Sequence, residues 1–156
     1  MTEEQKLANI LLARRSSKNP VETGNMQEFI VQFSPAGTVR CRIVDGQSGQ
    51  PRPFLFGRGE TEAFPDPLQA SRIIATPEGN PIGVFAAGFP SDAAANVSVF
   101  FFNDGAISGD NFIYQKEDGT QLQLTLFAVI NGNPTQIFST QINDNQEHST
   151  TIQIPK

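Results

Sequence analysis

From Met26 to Lys156 the apolar positions recur with a period of two, in short runs separated by Gly, Pro, Asn and Asp. Alternation of this kind marks half-buried strands. It is strictest in Gln121–Leu126, which reads Gln-Leu-Gln-Leu-Thr-Leu and so has one wet and one dry face. Phe29, Val31 and Phe33 alternate with Glu28, Ile30 and Gln32, and Val39, Cys41 and Ile43 share a face of Thr38–Val44. Further strands are expected near Ser71–Ala75, Ile82–Gly88, Asn96–Phe102, Phe112–Gln115, Thr135–Ile142 and Ser149–Ile154. Asn131-Gly132 between two alternating runs is the strongest short hairpin signal. With turns also expected at Lys116–Gly119 and Asn143–Asn145, the last third reads as an antiparallel meander. Eight to ten strands predict an all-β fold, an antiparallel β-sandwich related to the jelly roll.

One segment breaks the period. Thr2-Glu3-Glu4-Gln5 has the spacing of a capping box. Leu7, Ile10 and Leu11 then fall at i, i+3 and i+4, with Ala8 and Leu12 widening that face. A short amphipathic helix from Thr2 to about Arg15 follows, stopped by Ser16-Ser17 and Pro20. A helix of this length is marginal alone and needs a docking surface. Residues 1–25 therefore read as a helical arm with a polar linker, and 26–156 as the β-sandwich domain.

Two places carry more apolar bulk than alternation explains. Residues 51–67 hold four prolines, which belong at sheet edges and in loops, yet also contain Phe54, Phe56 and Phe64. Phe100-Phe101-Phe102 makes both faces of its strand apolar. Such a strand is either buried on both sides or offers one face as a contact surface. Phe54, Phe56, Phe64 and Phe101, with Leu7, Ile10 and Leu11 of the arm, are the candidate interface residues.

Charge narrows the partners. The chain carries 11 Lys and Arg against 16 Asp and Glu, a net charge of −5. Residues 1–72 hold a net +1 and residues 73–156 a net −6, so nucleic acid is not an expected partner. Arg14, Arg15 and Lys18 suit the end of a helix, where cations complement its dipole. The polar surface is rich in uncharged amides, 13 Gln and 11 Asn. Such a surface meets neighbouring subunits without burying charge. The acidic start Met1–Glu4 does not fit a signal peptide, and no run reaches the roughly 18 apolar residues of a membrane span.

Catalytic equipment is sparse. There is one His (His148), one Cys (Cys41), one Tyr (Tyr114) and no Trp. His148 lies in the polar run Asn145–Ser149, which suits a surface turn. Cys41 sits on the apolar face of its strand and suits a core. One Cys cannot form an intrachain disulfide, and one His cannot build a multi-histidine metal site. Glu60, Glu62, Asp66, Asp104, Asp110, Asp118 and Asp144 offer carboxylate pairs, but mostly beside Gly or Pro, where turns favour Asp. The loop Asp104–Asp110 is the one place with oxygen ligands for calcium, and it lacks EF-hand spacing. No catalytic residue, cofactor or metal is expected.

A β-sandwich of this size, rich in amides and Phe and led by a helical arm, resembles the small accessory proteins of tailed-phage particles. These include capsid decoration or cement proteins and minor head or tail subunits. The resemblance covers the layout of the whole chain and assigns no residue a role. It implies a non-enzymatic structural protein that binds between capsid subunits and stabilises the shell. The implied partners are protein subunits, a major capsid protein or other virion proteins, and further copies of itself, without nucleic acid or membrane. The implied location is the virion, assembled in the host cytoplasm. The alternative is a ligand-binding β-sandwich module for carbohydrate or peptide.

Overall fold

The strands, in chain order, are β1 (Gln27–Ser34), β2 (Thr38–Val44), β3 (Pro51–Arg52), β4 (Phe54–Leu55), β5 (Ala63–Pro65), β6 (Arg72–Pro77), β7 (Gly83–Gly88), β8 (Val97–Asn103), β9 (Asn111–Lys116), β10 (Leu122–Ile130), β11 (Asn133–Ile142) and β12 (His148–Thr151). The computed structural model describes residues 2, 4–5, 7–9, 27–34, 38–55, 63–65, 72–77, 83–88, 97–117 and 121–155. One sheet runs β11-β10-β1-β8-β4, with β5 also on β8. The other runs β12-β9-β2-β7-β6, with β3 also on β2. Every pairing is antiparallel. The expected all-β sandwich with a short N-terminal helix is the observed fold.

Alternation explains how the layers meet. Phe29, Val31 and Phe33 from β1 and Leu122, Leu124 and Leu126 from β10 join Val39, Cys41 and Ile43 from β2 and Phe112 and Tyr114 from β9 in one buried cluster. The two sheets thus share a core, and each large side chain buried there contributes roughly 1.5–3 kcal/mol. Cys41 is fully buried in it. Burial pushes its thiol far above the ordinary range, so it is an inert core residue.

The expected meander is corrected. Only β10 and β11 form a hairpin in that region, because Asn131 (φ 51°) and Gly132 (φ 81°) both adopt the left-handed backbone of a tight type I′ turn. β9 and β12 lie in the other sheet and pair with each other. The links after β9 and β11 are longer and join strands of different sheets. Both flanking strands keep their apolar faces on the same core, so alternation reads alike for a change of sheet and a hairpin.

Phe101 is also corrected. It is 1% exposed and lies in the shared core, stacked on Phe29 with ring centroids 5.7 Å apart. Its neighbour Phe100 belongs to a second buried cluster with Ile30, Phe127, Val129 and Leu7. This strand is buried on both sides by its own chain.

Leu7 shows what covers the outer side. Residues 4–5 and 7–9 are helical. The capping box closes reciprocally: Thr2 N donates to Gln5 Oε1 at 2.8 Å, and Gln5 N donates to Thr2 Oγ1 at 3.0 Å. Leu7, expected at a partner interface, is instead 1% exposed against its own sheet. Glu4 Oε2 accepts the Gln136 amide of β11 at 3.1 Å. Ile10 and Leu11 lie outside the described residues. Leu7→Ala is expected to lower stability by about 2 kcal/mol, the low end of such truncations because a short helix can settle into the gap. Thr2→Ala should cost about 1 kcal/mol. Urea unfolding measures both.

Candidate functional site

The β10–β11 hairpin forms one lateral edge of the first sheet and is uncharged throughout. The 23 residues from Gln121 to Asn143 contain no Asp, Glu, Lys or Arg in a chain that is 17% charged. Random placement would give about four. Polar side chains on its outer face stand in rows. Gln32, Thr125 and Ser139 stand in register across β1, β10 and β11, and Ser98 of β8, itself buried, ends the row. Gln32 Nε2 donates to Ser98 Oγ at 3.3 Å. Thr125 Oγ1 and Ser139 Oγ are 3.0 Å apart, and Gln123 Nε2 donates to Ser139 Oγ at 2.7 Å. Ser34, Gln123 and Gln141 form the next row. The outer face therefore has two zones: an apolar one under the helix, and an open amide–hydroxyl one. A partner can cover the open zone without desolvating a charge.

The edge of β11 is guarded over half its length. The tight turn makes Ile130 and Asn133 a hydrogen-bonded pair, and alternation along β10 then sets every other position. Pro134, opposite Val129, falls where an N–H would point outward, and it has none. Gln136 points its N–H outward, and Glu4 takes it. An irregularity opposite Leu126/Phe127 inserts Ile137 as an extra residue. Beyond it, Leu126, Leu124 and Leu122 bond to Phe138, Thr140 and Ile142, so Ser139 and Gln141 turn their N–H and C=O groups outward. Both residues are exposed. Among the described residues no second strand pairs there.

A different cluster holds the opposite chemistry. Asp110 is 2% exposed, and four N–H groups meet its carboxylate. Arg52 Nε donates to Oδ2 at 2.6 Å and Nη2 to Oδ1 at 3.2 Å. Ile107 N donates to Oδ2 at 2.9 Å and Gly46 N to Oδ1 at 3.3 Å. A carboxylate has about four lone-pair sites, so each is occupied. Arg52 Nη2 also reaches Asp45 Oδ2 at 2.9 Å. The Ser48 and Gln47 amides hold the Asp45 carboxyl below its usual range, with Arg52 adding to the effect. Gly46 is required here, because a Cβ would collide with the Gly109 carbonyl oxygen. The loop considered for calcium is thus a clasp built round a guanidinium, and Asp110 has no oxygen lone pair to offer a cation. Among the described residues no group of three or more His, Cys, Asp or Glu is arranged to hold a metal.

His148 begins β12 rather than lying in a turn, in register with Tyr114. Its ring stacks on Tyr114 with centroids 5.6 Å apart, and Nε2 is 2.8 Å from Asp144 Oδ1. The Gln146 amide and His148 hold the Asp144 carboxyl below its ordinary range. Burial raises the Tyr114 hydroxyl. The contacts described for His148 tie it to no hydroxyl or thiol nucleophile, and Cys41 is sealed in the core.

Of the expected interface residues, Phe101 and Leu7 are buried within the chain. Phe54 pairs at Asn103 and Phe64 at Ser98 through their backbones. Their side chains, and Phe56 altogether, lie outside the described residues. Ser139 and Gln141 were not singled out from the sequence, although the uncharged run around them was a readable sign. Among the described residues no helix is long and apolar enough to cross a membrane. Comparison with protein-family models, with curated proteins and with solved structures gives no match.

Proposed function

We propose that this protein is a non-enzymatic assembly subunit, and specifically a virion component of the capsid decoration type that binds between capsid subunits and stiffens the shell. The observation that carries the proposal is the uncharged β10–β11 hairpin, with its outward amide and hydroxyl rows on one edge of the sandwich. In a chain of net charge −5, this is a surface that can be buried against protein without stranding a charge. The specific virion role rests on the overall layout that such accessory proteins share.

The test is physical. Particles purified on a density gradient from cells expressing the chain should carry it in fixed ratio to a shell subunit, and should withstand heating better than particles lacking it. Absence from every assembled particle would overturn the proposal. Cys41→Ala with His148→Ala should leave particle binding unchanged when measured by co-sedimentation, because neither side chain does chemistry in an assembly subunit. Loss of binding by a folded double variant would count against the proposal.

The same rows of Gln, Ser and Thr favour one second reading, a sandwich that binds carbohydrate or peptide. Binding of a free glycan or peptide by the isolated chain, abolished by Gln123→Ala, would replace the assembly role.

A further inference from the structure

We infer that the open half of β11 pairs with the same strand of a second copy, joining two sandwiches into one continuous sheet about a two-fold axis. The inference deepens the assembly role and rests on it.

The register is self-complementary. Ser139 and Gln141 each turn one N–H and one C=O outward, by the alternation that starts at the Asn131-Gly132 turn. A two-fold axis through Thr140 sets Ser139 opposite Gln141 of the second copy, and Gln141 opposite its Ser139. Each of those pairs is a hydrogen-bonded pair, so four hydrogen bonds form across the axis and satisfy all four outward groups of each copy. Thr140 meets its own counterpart as the pair without hydrogen bonds. Isologous contacts have this form.

Charge favours a second copy as the occupant. Each copy carries a net −5, so two copies repel one another at long range. The run from Gln121 to Asn143 carries no charge, and the Ser139–Gln141 pairs themselves oppose no like charges. Sheet edges are commonly protected by Lys, Pro or a bulge. In β11 the protections stop at Ile137: Pro134 and the Glu4-capped Gln136 lie on one side, and on the other no described strand pairs with the outer edge of Phe138–Ile142. The guarded half limits pairing to a short ladder, which gives a closed dimer rather than open-ended association.

Sedimentation equilibrium of the full chain over a wide concentration range tests this. The wild-type protein should pass from monomer to dimer. In S139K/Q141K, two Lys–Lys pairs face each other across the axis, and dimerisation should weaken by roughly tenfold or more. S139E/Q141E should behave alike. An equimolar mixture of the two variants should restore a dimer containing one of each, and circular dichroism should show both folded. A wild-type protein that stays monomeric, or a dimer indifferent to these substitutions, overturns the inference. So does capture of another protein's extended peptide by β11 of a wild-type chain that remains monomeric. The two proposals fail separately. A monomer that still binds particles sinks only the self-pairing, whereas a β11 dimer that no particle carries sinks only the virion role.

Discussion

Asp110→Ala is expected to destabilise the protein by about 3–5 kcal/mol, the range for removing one member of a buried ion pair. The substitution leaves Arg52, 18% exposed, without its main partner, and strips the Ile107 and Gly46 amides of their acceptor. The effect should spread, because the same loop ties down the C-terminal segment. Ile152 N donates to the Asp110 carbonyl at 2.8 Å, Gly109 N donates to the Ile152 carbonyl at 2.9 Å, and Ile154 N donates to Ser108 Oγ at 2.7 Å. Urea unfolding followed by linear extrapolation measures the loss. A double variant, D110L/R52M, should lose less than the sum of its single variants, because an apolar pair leaves no buried charge unmatched. A loss below about 1 kcal/mol for Asp110→Ala would show that the clasp is a surface ion pair in energetic terms. Calcium should leave the melting temperature unchanged, since four N–H groups already occupy the Asp110 carboxylate.

The clasp also gives the protein an acid-sensitive element. The Asp45 carboxyl titrates below its usual range when folded, chiefly through the Ser48 and Gln47 amides. The unfolded chain therefore binds this proton more readily. The associated stability is present above the ordinary carboxyl range and is lost as pH falls through the folded value.

Phe101→Ala is the other change of large expected effect, about 3–5 kcal/mol. Phe101 is 1% exposed, stacks on Phe29 and occupies the layer between the sheets. Domains of this size are stable by only about 5–15 kcal/mol, so the variant should unfold at much lower urea or fail to accumulate. Loss of association at an unchanged unfolding midpoint would return Phe101 to the surface. The contrast with Gln141 is sharp: that side chain is exposed, and its substitution should change association while leaving the fold in place.

Alternation determined much by itself. It assigned Phe29, Val31, Phe33, Val39, Cys41 and Ile43 to one core, and Leu122, Leu124 and Leu126 to a dry face. Thr2 and Gln5 announced the capping box, and Asn131-Gly132 announced the hairpin, because caps and tight turns depend on residues only a few positions apart. Partner choice lay beyond such local chemistry. A strand's period states which face is apolar, and neither which strand lies beside it nor which sheet receives it. The changes of sheet after β9 and β11 were therefore indistinguishable from hairpins. Phe100 and Phe101 were visibly two-sided, but only packing placed Phe101 between the sheets and Leu7 over Phe100. Arg52 and Asp110 meet across 58 residues of sequence, and nothing in their local composition pairs them. The unpaired half of β11 among the described strands is a tertiary fact as well: a strand becomes an edge only when the rest of the fold leaves one side of it unpaired.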